Sequence, residues 1–145
     1  MVQVLIQVEV GSHEKNLYDE KTLEYKVTRR VSQPYPYPYG FIIGTTAEDG
    51  DAVDCYIITR DKLKAGKIVE CEPIGLLEQN EGDEIDHKIL ATLPGHHVEI
   101  TPELLKELQG FIYTIFARFP EVQVRVGPIH PKEAAMQYIQ DHRDT

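Results

Sequence analysis

Residues 68–91, IVECEPIGLLEQNEGDEIDHKILA, decide the fold class. Two short apolar runs, residues 68–71 and 74–77, flank Pro73, and a third run at 88–91 follows an acidic stretch. Apolar runs of about four to eight residues between Gly, Pro and acidic turns are typical of strands and not of helices. The segment therefore predicts three neighbouring strands, with a break between the first two at Pro73.

Strand patterns continue on the amino-terminal side. Apolar and polar residues alternate over residues 2–10, and again around Tyr25 and Val27, as expected for half-buried strands. Further strands are predicted at residues 41–43 and 55–58. Residues 32–40 carry three prolines at alternate positions, interleaved with three tyrosines, and predict a stiff extended loop. Short strands at such close spacing favour an antiparallel barrel.

The last third of the chain predicts two helices around one more strand, at residues 122–126. Thr101 is a good N-cap and Pro102 suits the first helical turn. Apolar residues then recur at helical spacing, namely Leu104, Leu108, Phe111, Ile115 and Phe119. Pro120 ends this helix, and Pro131 begins a shorter one. The predicted class is α+β, a small closed antiparallel barrel with one long and one short C-terminal helix, forming a single domain over residues 1–145.

Composition excludes several classes of function. The 145 residues contain 15 Lys and Arg against 24 Asp and Glu, a formal net charge of −9, which repels nucleic acid. No apolar run approaches the roughly 18 residues of a membrane span, and the first residues lack the pattern of a secretory signal. Cys55 and Cys71 form no CxxC pair and are expected to be free buried thiols. We therefore expect a cytoplasmic protein that binds neither nucleic acid nor membrane.

The strongest local motif is Glu48-Asp49-Gly50-Asp51-Ala52-Val53-Asp54. Aspartates packed this closely repel one another unless a cation neutralises them, and carboxylate oxygens suit Mg²⁺. Taken alone, such a stretch is more often a solvated turn, because turns favour Asp and Gly for conformational reasons. An EF-hand loop is a poor fit, because Arg60 stands where that loop needs a glutamate.

Two further features extend this interpretation. The stretch from Glu81 to Lys88 is also acidic and also lies between predicted strands, so the two acidic loops could face each other across a metal site. Lys88 lies two residues beyond Asp86, so both would point to the same side of a strand. A tyrosine held by the proline-rich loop could donate to a phosphate oxygen. The simpler alternatives are a solvated acidic loop and a packed aromatic loop or proline-rich recognition segment.

Taken jointly and in order, these motifs resemble those of the family I soluble inorganic pyrophosphatases. The resemblance covers roughly residues 4–91 and continues more weakly to residue 139. It rests on Glu9, Gly11-Ser12-x-x-Lys15, Arg29-Arg30, Tyr35-Pro36-x-x-Tyr39-Gly40-Phe41-Ile42, Glu48-Asp49-Gly50-Asp51-x-x-Asp54, Pro73-Ile74-Gly75-Leu76-Leu77, Glu81 and Asp86-x-Lys88.

The resemblance implies a five-stranded, OB-like barrel that hydrolyses pyrophosphate to two phosphates with roughly three to four Mg²⁺ ions. It also implies that the chain forms a homo-oligomer, and a hexamer is the expected assembly. Implied metal ligands are Asp49, Asp54 and Asp86, with Glu81 where the family usually has Asp, and Glu9 for a further ion. The implied catalytic residues are Asp51, which would take a proton from the attacking water, and Tyr39, Lys15, Arg30 and Lys88. Substrate phosphate would be bound by Lys15, Arg30 (with Arg29 as the alternative), Tyr39 and Tyr35.

The chain also departs from the family pattern. Leu17 stands where an acidic residue is usual. Phe119-Pro120 stands at the place of the family's Tyr-Lys pair near the end of the long helix. Arg118 or Arg125 would have to replace the cation that this pair supplies to the phosphate. These departures favour, as the alternative, a catalytically weakened pyrophosphatase-like protein that binds metal or phosphate and regulates a partner. Hydrolysis of another phosphoanhydride or a phosphate ester ranks below it, and an OB-type nucleic-acid module ranks last.

Overall fold

The computed structural model describes all 145 residues. The nine strands and two helices are, in chain order, β1 (Val2–Val8), β2 (Glu14–Tyr18), β3 (Tyr25–Arg30), β4 (Tyr39–Ile42), β5 (Asp54–Ile57), β6 (Ile68–Glu81), β7 (Glu84–Ile85), β8 (Lys88–Thr92), α1 (Pro102–Phe116), β9 (Val124–Pro131) and α2 (Lys132–Asp141). The predicted α+β class is confirmed.

Five strands form a continuous ring of backbone hydrogen bonds. The order is β1–β4–β5–β8–β6, and β6 pairs back onto β1. Four of these junctions are antiparallel, but β5 and β8 are parallel, so the prediction of a wholly antiparallel sheet is wrong at that pair. A parallel pair needs a long crossover, which the intervening β6 supplies. The parallel register sets Asp54 directly beside Lys88.

β6 is one uninterrupted strand of 14 residues, so the predicted break at Pro73 is wrong. The strand changes partners along its length, pairing first with β1, then with β8 and finally with β9. The register with β8 shifts between Pro73 and Gly75. Such an irregularity accommodates a residue that has no N–H to donate, and the strand therefore continues through the proline.

β2 and β3 form a separate two-stranded sheet, and β2 was not predicted because its sequence, EKNLY, shows no clear alternation. The predicted strand around Tyr25 and Val27 is β3. The register pairs Lys15 with Arg29 and Glu14 with Arg30. Directly opposed residues face the same side of a sheet, so Lys15 and Arg29 share one face and Arg30 lies on the other.

The helices begin near their predicted positions. The Thr101 hydroxyl accepts a hydrogen bond of 3.1 Å from the Leu104 backbone N–H, which caps α1. α1 ends at Phe116 and not at Pro120, because the chain turns tightly from Ala117 onward. Ala135 and Ile139 of α2 pack into the apolar cluster inside the strand ring. Neither helix is long and apolar enough to cross a membrane.

Candidate active site

One pocket of about 300 Å³ gathers charged side chains that lie far apart in the sequence. Its walls come from β2, the tyrosine loop, the turn before β5, the strands β6 and β8, and α1. The charged residues that line it are Lys15, Asp49, Asp51, Asp54, Glu81, Asp86 and Lys88. The two acidic loops of the sequence therefore face each other, as expected.

The first acidic loop is a tight turn that holds its own shape. Gly50 has a φ of +90°, a backbone conformation that favours glycine. The Asp51 backbone N–H donates to the Asp49 Oδ1 at 2.9 Å, and the Ala47 N–H donates to the Asp51 carbonyl. Burial raises the pKa of Asp49, and the nearby charges of Asp51, Asp86 and Asp54 raise it further. The turn thus presents two carboxylates to a site that is already negative.

Lys88 lies at the centre of the pocket. Its ammonium Nζ is 2.7 Å from Asp54 Oδ2, 3.1 Å from Asp86 Oδ2 and 3.2 Å from the Tyr39 hydroxyl. The side chain is only 8% exposed. Burial by itself would lower the pKa of Lys88, but Asp54, Tyr39 and Asp86 outweigh it and hold that pKa well above its ordinary value. Lys88 is therefore a buried cation shared by a carboxylate of β5 and one of the loop before β8.

Glu81 adds a further carboxyl group. It lies beside Asp86, and this proximity, together with burial, raises the pKa of Glu81 well above its ordinary value. Two carboxyl groups this close share a proton or a cation. The negative charge of the pocket therefore exceeds what Lys88 neutralises.

These oxygen donors fit a hard divalent cation. Lys88 bridges Asp54 and Asp86, and no three acidic, His or Cys side chains lie close enough together to hold one ion by themselves. Mg²⁺ is seldom caged by protein alone; it is usually held by one or two carboxylates together with water and substrate phosphate. An open set of carboxylates in a pocket is therefore a suitable donor set for Mg²⁺.

The tyrosine loop supplies hydroxyl groups that keep their protons. The Tyr39 ring packs against Tyr35 at 5.2 Å and Tyr56 at 4.8 Å between centroids. Burial raises the pKa of Tyr39 well above its ordinary value and raises that of Tyr35 to about 12. Tyr37 faces elsewhere, and its hydroxyl donates to Glu107 of α1, which anchors the loop. Tyr35 and Tyr39 are thus rigid neutral donors on the pocket wall.

The β2–β3 sheet carries three of the expected phosphate-binding cations, and they are divided between its two faces. Lys15 lines the pocket, with its Nζ 5.4 Å from the centre of the Tyr39 ring, and burial lowers its pKa. Arg29 lines an adjoining groove together with Lys15, Asp51 and Asp54. Arg30 lines a different cavity, on the opposite face. The structure therefore brings Arg29 to the rim of the acidic pocket and does not bring Arg30 there.

Glu9 also lies apart from the acidic pocket. It lines a groove with Glu14 and Ala65, where its Oε2 accepts a hydrogen bond of 3.1 Å from the Ala65 N–H. Its Oε1 is 3.9 Å from the Lys62 ammonium. The structure thus separates Glu9 from the other expected metal ligands.

The wall formed by α1 is apolar. Phe111, Ile112, Ile115 and Phe116 line the pocket, whereas Phe119 and Pro120 do not. The helix ends at Phe116, earlier than predicted, so Phe119 and Pro120 lie beyond the helix and outside the lining of the acidic pocket. The last turn of α1 contributes no cation and no hydroxyl group to the pocket, because Tyr113 and Thr114 do not line it.

Besides the apolar residues of its wall, two polar residues of the pocket were missed by sequence reasoning. Tyr56 and Gln79 both line it, and the Gln79 Oε1 is buried without a hydrogen-bond partner. Each lies two residues from an expected metal ligand, Asp54 or Glu81, on the same strand. Since alternate residues of a strand share a face, this spacing was an available signal.

Comparison with known proteins gives consistent matches. The family model "Inorganic pyrophosphatase" matches residues 4–145. Inorganic pyrophosphatase from Sulfolobus acidocaldarius is 41% identical over 93 residues, which cover 63% of this chain and 54% of that protein. The chain thus spans about half the length of several curated relatives that it matches. Inorganic pyrophosphatase from Nanoarchaeum equitans is 30% identical over 154 aligned positions, covering 99% of this chain and 96% of the relative.

Solved structures agree over almost the whole chain. An inorganic pyrophosphatase from Helicobacter pylori superposes with a TM-score of 0.86 at 25% identity, covering 97% of this chain and 89% of the other. The inorganic pyrophosphatase from Thermus thermophilus gives a TM-score of 0.84 at 28% identity, covering 95% and 86%.

Proposed function

The chain belongs to the family of inorganic pyrophosphatases, and on that basis we propose that it hydrolyses pyrophosphate to two phosphates with Mg²⁺ as cofactor. One observation carries the proposal. Carboxylates from the 49–54 turn and from the 81–86 loop line a single pocket together with the buried Lys88 and the half-buried Lys15. That combination suits a polyanion that binds through divalent ions.

Asp49, Asp54 and Asp86, with Glu81 beside them, are the proposed Mg²⁺ ligands, for roughly three to four ions in the presence of substrate. When bound, Mg²⁺ neutralises phosphate charge and lowers the pKa of coordinated water. Glu9 is the weakest member of the predicted set because it lies in a separate groove. Its participation would require either a movement or an ion bound outside the pocket.

The remaining residues have separate proposed tasks. Asp51 lies on the exposed part of the turn, where a carboxylate can accept a proton from the attacking water. Tyr39 and Lys88 lie together on the pocket floor and would donate to the departing phosphate. Lys15, Tyr35 and, from the rim, Arg29 would hold the substrate, with Arg30 farther away.

We also propose that the fold is a closed barrel and a single domain, as the family resemblance implies. The ring of hydrogen bonds through five strands supports a closed, OB-like barrel. Both helices pack on the apolar clusters of the ring strands, which supports a single domain over residues 1–145.

We further propose that the protein is a cytoplasmic homo-oligomer, and the family resemblance implies a hexamer as the expected assembly. Sedimentation analysis measures the number of subunits directly.

The test of function is phosphate release from pyrophosphate by the purified protein, with Mg²⁺ and with a chelator. We expect turnover only with Mg²⁺, and a loss on the order of 10²- to 10⁴-fold in Asp51→Asn. Asp83→Asn is the matched control, because Asp83 belongs to the second acidic loop but does not line the pocket. Calorimetry that detects pyrophosphate binding without any Mg²⁺-dependent cleavage would favour the regulatory alternative instead.

A further inference from the structure

A second cavity adjoins the acidic pocket. It has a volume of about 410 Å³, and its polar lining consists of Arg30, Ser32 and Arg118. Arg30 ends β3, and Arg118 follows α1, where the Arg118 N–H donates to the Ile115 carbonyl at 3.3 Å. The end of the helix and the end of the strand thus bring two arginines to the same cavity, beside the apolar residues Val31, Ile115 and Phe119.

These two cations have no acidic partner within the protein. Among the arginines only Arg60 pairs with a carboxylate, at 2.9 Å from Glu107. Glu14, the cross-strand neighbour of Arg30, makes no ion pair with it. In a chain with a net charge of −9, two unpaired arginines beside one cavity form a local positive site. Guanidinium groups bind phosphate with paired hydrogen bonds, so the site suits a phosphate group.

The cavity is next to the acidic pocket but separate from it. Val31 and Ile115 line both spaces, whereas Arg30 and Arg118 line only the second. The two arginines are therefore absent from the lining of the acidic pocket itself. A ligand that contacts both sites must be longer than the group held by the carboxylates and their ions.

We propose that the Arg30–Arg118 cavity binds the third phosphate of a linear phosphoanhydride, with the first two phosphates in the acidic pocket. This inference rests on the proposed function and extends it to tripolyphosphate and nucleoside triphosphates. Hydrolysis of an anhydride bond of tripolyphosphate consumes one water. The water oxygen bonds to the attacked phosphorus, the bridging P–O bond breaks, and the products are phosphate, pyrophosphate and the released proton.

The kinetic test compares two substrates in the same protein. With Mg²⁺ present, Arg118→Gln should lower kcat/KM for tripolyphosphate about tenfold more than kcat/KM for pyrophosphate. Arg125→Gln is the matched control, because Arg125 lies on β9 opposite Asn80 and lines neither cavity. It should leave the ratio of the two values unchanged. Equal losses on both substrates in Arg118→Gln, or no loss on either, would overturn the inference while leaving pyrophosphate hydrolysis intact.

Direct binding provides a readout that does not depend on turnover. Calorimetry of tripolyphosphate with Mg²⁺ in the Asp51→Asn background should show about tenfold weaker binding when Arg118→Gln is added. ATP identifies which part of the ligand the cavity receives. A comparable Arg118 effect on ATP and tripolyphosphate supports a third-phosphate site, whereas an effect on ATP alone points to the nucleoside and overturns it. Unchanged tripolyphosphate affinity in Arg118→Gln also overturns it, whether or not the protein cleaves pyrophosphate.

Discussion

At the scale of single residues, Lys88 pairs with two of the carboxylates that we propose as Mg²⁺ ligands. Its ammonium lies 2.7 Å from Asp54 and 3.1 Å from Asp86, and it is largely shielded from solvent. Without Lys88, the negative charges of the two carboxylates would repel each other with no buried cation between them. Lys88 would therefore stabilise the pocket when few ions are bound, and its contacts to the two Oδ2 atoms would leave the Oδ1 atoms for the proposed Mg²⁺.

Lys88→Met should consequently destabilise the metal-free protein by about 2–4 kcal/mol, because it leaves partly buried charge unpaired. Added Mg²⁺ should stabilise this variant more than it stabilises the wild type, since the ions take over the neutralisation. Lys132→Met is the control: its ion pair with Glu72 is about half exposed and should contribute under about 1 kcal/mol. Urea unfolding with and without Mg²⁺ measures both effects; an equal Mg²⁺ response in Lys88→Met and wild type contradicts the explanation.

Arg29 and Arg30 are adjacent in the sequence but lie on opposite faces of the β2–β3 sheet. Arg29 shares a face of the β2–β3 sheet with Lys15, whereas Arg30 lies opposite Glu14 on the other face and lines the second cavity. Arg29→Gln should therefore lower kcat/KM for pyrophosphate by about tenfold or more, and by more than Arg30→Gln does. Steady-state kinetics of the two variants decide this, and the reverse order would show that the hairpin is oriented differently during catalysis.

At the scale of elements, the approach of β4 to β1 depends on one glycine. A Cβ atom at Gly40 would lie 1.9 Å from the Leu5 carbonyl oxygen, which is backbone and cannot move aside alone. Gly40→Ala should separate the two strands and destabilise the protein by about 3 kcal/mol or more. Gly110→Ala in α1 is the control, because its Cβ would meet open space and should stabilise the helix by about 1 kcal/mol. Equal unfolding midpoints for the two variants would contradict this packing.

The sequence predicted elements best where the pattern was local. The cap at Thr101 and the alternation of β1 follow from neighbouring residues, and both are present. Pro73 was misleading because its effect depends on which strand lies opposite, and that is a long-range property. The β2 strand was missed because it is stabilised by its pairing with β3 and not by an apolar pattern of its own.

At the scale of the whole molecule, folding concentrates charge that is dispersed in the sequence. The acidic motif, the 81–86 loop and Lys88 were identified from the chain because each is a recognisable cluster, and they share one pocket. Glu9 and Arg30 were expected there as well but lie elsewhere, because the turn after β1 and the faces of the β2–β3 sheet decide their directions. Gln79 carries no charge, so only its position beside Glu81 could have indicated it.

The central claim is that carboxylates from distant segments act together on the same bound ions. A double-mutant cycle on Mg²⁺-dependent phosphate release from pyrophosphate, with Asp54→Asn, Asp86→Asn and the pair, tests this directly. If both residues serve one site, either single change should lower kcat/KM on the order of 10²-fold, and the double variant should be little worse than the more severe single one. Losses that simply multiply, or single variants as active as wild type, would contradict a shared metal site.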